Sequence, residues 1–124
     1  MLIGLYIFVD DDFGDPLYAD PASEDLDEDL WVVACEAVND ALEGEGPASG
    51  VQTHDEYHVG WKTRVKTGLS FVAIVTDDVR KQSVTAYIEA VLNQYLEEVD
   101  NPRDPERSGV ADVVVDVIPP WEDD

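Results

Sequence analysis

The sequence predicts an α+β fold, a single domain in which a mixed or mainly antiparallel sheet of about five strands carries two long helices, plus a C-terminal edge strand. Three observations predict it. Residues 2–9 and 69–75 are apolar runs of strand length, two longer stretches repeat apolar residues at helical spacing, and residues 55–67 alternate with period two. In chain order these read strand–strand–helix–strand–strand–helix–strand, an arrangement that buries one sheet under its helices.

Residues 2–9 (LIGLYIFV) are rich in β-branched and aromatic side chains and suit a central strand buried on both faces. They lack a basic flank, are too short to cross a bilayer and run into Asp10-Asp11-Asp12, so a strand is expected rather than a signal peptide or membrane segment. Residues 10–15, with Gly14, form a turn, and Leu17-Tyr18-Ala19 a short returning strand. Asp20-Pro21 supplies a cap and a proline at the first helical position, and the acids over 24–29 suit the positive end of a helix dipole. Leu26, Leu30, Val33, Ala34, Ala37, Val38, Ala41 and Leu42 make one apolar stripe. Residues 44–50 read as a loop.

Over 55–67, Tyr57, Val59, Trp61 and Val65 point one way, and Glu56, His58, Lys62, Arg64 and Lys66 the other. Gly68 marks a turn before the strand over 69–75. A second helix runs from after Asp78 to about Val99, with Val84, Ile88, Val91, Leu92, Tyr95, Leu96 and Val99 on its stripe. The domain thus spans 1–100, followed by a polar linker over 101–109. Val113, Val115 and Val117 alternate with Asp112, Val114 and Asp116, which reads as a C-terminal edge strand over 110–118, and 119–124 is an acidic tail.

With 124 residues, 44% of them hydrophobic, the chain can fill one core. Its net charge is −22; sixteen acids and no base precede Lys62, after which thirteen acids face seven bases. Such a field repels nucleic-acid backbones and anionic membranes, so neither is an expected partner. Two readings of the acidity stand side by side: a solvated coat suited to a halophilic, high-salt cytoplasm, or a surface that docks a basic protein or mimics a nucleic acid. The single Cys35 excludes an internal disulfide and fits a reducing, cytoplasmic compartment.

No motif supplies a catalytic residue, a cofactor site or a metal site. His54 and His58 would share a face only on a helix; on a strand their Cα atoms stand roughly 13 Å apart, and they read as solvent-facing. The run Asp10-Asp11-Asp12-Phe13-Gly14-Asp15 has glycine at the fifth position of a calcium loop rather than the sixth, and Pro21 at the twelfth. Cys35 falls among buried helix positions, and no glycine-rich loop joins a strand to a helix. The candidate partner-binding residues are Lys62, Arg64, Lys66 and Trp121. The three bases invert the local charge, either balancing nearby carboxylates or docking an acidic partner or second subunit. Trp121, after Pro119-Pro120, is either a plug on the chain's own surface or an exposed recognition peptide.

The stretch from Tyr57 to Leu96 resembles the second half of a longin domain, in the wider longin/roadblock-like group. The family pattern has a strand, a glycine turn, a hydrophobic strand ending in Thr-Asp and a helix with an aromatic–aliphatic pair. Here those parts are 58–65, Thr67-Gly68, 69–76 with Asp77-Asp78, then Tyr87-Ile88 and Tyr95-Leu96. The first half, 2–42, is compatible in order and length. The resemblance implies a five-stranded antiparallel sheet with helices packed on it, no enzymatic activity, and a protein-binding platform, often for small Ras-like GTPases. Two departures stand out: the family's short third helix is expected to be replaced by the linker and terminal strand, and no coiled coil or membrane anchor follows. The resulting expectation is a non-enzymatic cytoplasmic adaptor or regulator with a protein partner, homodimerising by edge strands or the first helix. The alternative is an acidic inhibitor or immunity-type protein that neutralises a basic enzyme such as a nuclease.

Overall fold

The apolar runs at residues 2–9 and 69–75 become two adjacent interior strands of the sheet. The computed structural model describes residues 1–122. Five strands, β1 (Leu2–Val9), β2 (Tyr18–Asp20), β3 (Ser49–His54), β4 (Tyr57–Arg64) and β5 (Leu69–Thr76), form one sheet in the order β2-β1-β5-β4-β3. Every adjacent pair is antiparallel; Leu5 lies opposite Ala73, Trp61 opposite Val72, and Val51 opposite Gly60. Three helices accompany the strands: α1 (Glu28–Glu43), α2 (Lys81–Glu98) and α3 (Arg107–Val115).

Strand alternation divides the core in two. Tyr6, Phe8, Val59, Trp61, Val72 and Ile74 face α1, whose Leu30, Ala34 and Val38 complete that layer with Leu26. Leu5, Ile7, Phe71, Ala73 and Val75 face the other way, under Val84, Ile88, Val91, Leu92 and Tyr95 of α2 and Val110 and Val114 of α3. Gly60 lets α2 approach: a Cβ there would stand 2.5 Å from Val84 and 2.9 Å from Ile88. Residues 100–106 strap α2 to α3, pinned where Tyr95 Oη donates to the Pro102 carbonyl (2.6 Å) and Arg103 meets the Asp10 carboxylate (2.6 Å).

The expected C-terminal edge strand is instead a helix. Alternation would put Val113, Val115 and Val117 on one face, yet Val115 is 74% exposed while Val110, Val113 and Val114 are buried. Val110, Val113, Val114 and Val117 fit i, i+3, i+4, i+7, and burial against α2 overrides the low helix propensity of valine. The sheet therefore carries three helices, and its fifth strand is β3, whose first two residues fall in the 44–50 loop reading and whose other four fall in no predicted element. Pro120–Glu122 forms a 3-10 turn; Asp123 and Asp124 of the acidic tail lie outside the described residues.

Other boundaries also move. Two aspartates compete to cap α1, and Asp27 wins: its Oδ1 accepts the Asp29 N–H at 2.9 Å, after a separate 3-10 turn over Ser23–Asp25. The helix ends at Gly44, in the left-handed region (φ 75°), whose N–H returns to the carbonyls of Ala41 and Asp40. The single strand expected over 55–67 is bounded by turns at both ends. Asp55 (φ 53°) and Glu56 close a two-residue hairpin between β3 and β4, and Val65 and Lys66 lie in the β4–β5 turn. Val65 is accordingly 56% exposed rather than on the apolar face.

Candidate functional site

The four residues singled out for partner binding do not converge. Lys62 lies on the α2 face of β4 and pairs with Glu89 at 2.9 Å. Arg64 follows at the exposed end of β4, on the same face by alternation, and Lys66 sits beyond it in the turn. Trp121 packs edge-on against Tyr87, with ring centroids 5.3 Å apart and planes at 72°, and joins the core layer beneath α2. The histidines are not solvent-facing either. His58 is buried with Nδ1 2.9 Å from Thr53 Oγ1, and His54 is half-buried with Nε2 3.6 Å from Asp55. Cys35 is half-buried on α1, and burial pushes its thiol up to about 11, which keeps it protonated and unreactive at neutral pH. Among the described residues no three His, Cys, Asp or Glu side chains gather to hold a metal ion.

What the fold does expose is an unprotected sheet edge. Residues 46–54 (GPASGVQTH) contain no Asp, Glu, Lys or Arg in a chain of net charge −22, and from this stretch comes β3, an edge strand. The Thr63 N–H donates to the Ala48 carbonyl at 2.7 Å, which fixes the ladder's parity. Gly50, Gln52 and His54 then exchange hydrogen bonds with β4, and the backbone groups of Ser49, Val51 and Thr53 point away from the sheet. Edge strands of soluble proteins are ordinarily blunted by lysine, proline, bulges or a covering element. β3 has none of these within its six residues; Pro47 precedes it.

The approach to this edge is held rigidly. Trp61 Nε1 donates to the Pro47 carbonyl at 3.1 Å, tying the α1–β3 loop to β4. The Trp61 ring also packs against Gly50, where a Cβ would stand 3.0 Å from it. Between α1 and β3 runs a groove of about 280 Å³, with Val33, Ala37, Pro47, Gln52 and Trp61 along it and the exposed carboxylates of Glu36 and Asp40 on its rim. Outward amides and carbonyls beside a groove with apolar walls and an acidic rim are the elements of strand addition, in which main-chain hydrogen bonds supply affinity and the groove sorts side chains. Sequence reasoning missed this site because Ser49 and Gly50 read as loop and residues 51–54 as no element; the signal available was the stretch without Asp, Glu, Lys or Arg, set in so acidic a chain.

No helix among the described residues is long and apolar enough to cross a membrane. No protein-family model matches the chain, and no curated protein matches it.

Proposed function

We propose that this chain is a non-enzymatic protein-binding adaptor or regulator that works by accepting a strand of its partner at β3. The observation that carries this reading is the six-residue edge strand without a protecting charge, bulge or cover. A longin-like identity is part of the proposal. It is supported by the five-stranded antiparallel sheet the resemblance implies, and by α3, which supplies the short third helix whose expected loss was a departure from the family pattern. A small Ras-like GTPase is the partner class that follows from that resemblance, and the lone Cys35 supports a cytoplasmic setting.

The test is affinity capture from native lysate by the wild-type protein and by Ser49→Pro, read by mass spectrometry. Ser49 is exposed and its N–H points outward, so proline there removes a free donor without breaking the ladder to β4. Proteins held by the wild type and lost with Ser49→Pro are expected, a small GTPase among them. Equal recovery by both forms overturns the reading.

A further inference from the structure

We infer that the occupant of the β3 edge is a basic, extended segment of a partner protein, added as a sixth strand with alternate Lys or Arg side chains laid against Glu36 and Asp40. This rests on the adaptor reading and adds the chemistry of the partner. A strand paired with Ser49, Val51 and Thr53 projects every second side chain to the α1 face of the sheet. There it meets the groove between α1 and β3, with Val33, Ala37 and Trp61 in the wall and Glu36 and Asp40 at the rim. Neither carboxylate has an ion pair among the described residues, and Glu45 in the preceding loop adds charge of the same sign. On the opposite face the lysine or arginine closest in register to the edge strand is Lys62, opposite Ser49, and Glu89 already neutralises it; Arg64 lies beyond the end of β3.

Charge therefore selects among the candidates for this edge. A second copy paired β3 to β3 about a two-fold axis would bring two α1 helices together on one face. Glu36 and Asp40 would then oppose their own counterparts, and the neutral strand offers nothing to offset them. A neutral strand gains the backbone bonds alone. A basic strand gains those and the two rim carboxylates, and is steered toward the edge by the field of the whole molecule.

The test uses the isotopically labelled full chain and three end-capped nine-residue peptides: alternating Lys and Thr, the same with Glu for Lys, and the Lys peptide N-methylated on alternate residues. Nuclear magnetic resonance follows amide exchange in β3 and the signals of α1. The Lys peptide is expected to slow exchange at Ser49, Val51 and Thr53 and to shift Glu36 and Asp40. Its affinity should fall by about tenfold or more as KCl rises from 0.1 to 1 M and the Debye length shrinks from about 10 to about 3 Å. N-methylation should abolish the protection. The double variant Glu36→Gln, Asp40→Asn should weaken binding by about tenfold with the remaining spectrum unchanged; should it not fold, the salt series on the wild type decides the same point. If the Glu peptide protects β3 equally well, the basic occupant is wrong while the adaptor reading stands. If no peptide of either charge protects β3, both fall. Shifts in α1 without protection of β3 would mean charge contact alone and overturn strand addition. Protection that grows with protein concentration, without peptide, would make a second copy the occupant.

Discussion

At the scale of single residues, Gly60 is tightly constrained, because helix and sheet meet there with no side chain between them. Gly60→Ala pushes a methyl group into Val84 and Ile88, both fully packed, and overpacking of this kind costs about 1–3 kcal/mol. Urea denaturation should register that loss, and an unchanged midpoint would mean α2 can lift away freely. Tyr6 presents the opposite case. Its ring is fully buried beside Trp31, and its hydroxyl finds no hydrogen-bond partner among the described residues. Removing an unsatisfied buried hydroxyl relieves a desolvation cost, so Tyr6→Phe should leave stability unchanged or raise it by up to about 2 kcal/mol. Burial first, then the charges of Asp20 and Asp25, pushes the Tyr6 phenol from 10.0 up to about 12, and burial pushes Tyr95 to about 12 as well. A raised phenol pKa favours the neutral form in the fold. Its contribution is therefore present in full below pH 10, where the unfolded phenol is also neutral, and is lost as pH rises from 10 through about 12. Alkaline unfolding should begin in that window, and Tyr6→Phe should make the decline shallower; equal slopes for both proteins would contradict the assignment.

Among the elements, α3 gives the sharpest test because the sequence supports two readings of it. Gly109 lies inside this helix with open space around its missing side chain and an ordinary backbone conformation. Gly109→Ala should therefore raise stability by about 0.5–1 kcal/mol through helix propensity, measured as a higher Tm. In an edge strand the same change would bring no such gain. At the helix start, Asp27→Ala should cost about 0.5–2 kcal/mol, whereas Asp20→Ala removes no helix cap. These two elements also mark the limit of what the sequence discloses. β1, β5 and α2 were legible because their apolar residues repeat over a full element with nothing to interrupt them. The stripe of α1 was legible as well, though not its start, since Asp20 and Asp27 carry the same local signal and only packing decides between them. A run of valines fits a strand by propensity and a helix by spacing, so the C-terminal segment turned on where its burial lay. β3 has one half-buried aliphatic side chain, Val51, and owes its conformation to the ladder with β4 rather than to its own composition. Of the candidate site, Trp61 was correctly placed on an apolar face. The edge beside it was invisible because it depends on which strand ends up last in the sheet.

For the molecule as a whole, charge is the dominant unresolved strain. Lys62 and Arg103 hold carboxylates, while Arg64, Lys66, Arg80 and Lys81 have no ion pair among the described residues. Twenty-nine acids are thus left mostly to solvent. Screening should stabilise such a fold: circular dichroism melts are expected to show Tm rising as KCl goes from 0.1 to 1 M. A flat Tm would remove self-repulsion, and with it salt adaptation, as the meaning of the acidic coat. The sheet order carries a further consequence, for the time before the fold exists. Leu5 pairs with Ala73, so β1 is synthesised long before the neighbour that will cover its inner edge. Until then the most apolar strand of the chain waits with only the three residues of β2 beside it. The sixteen acids that precede Lys62 follow directly behind it. A growing chain that carries its charge there repels its neighbours on the ribosome during the interval in which it is most prone to aggregate.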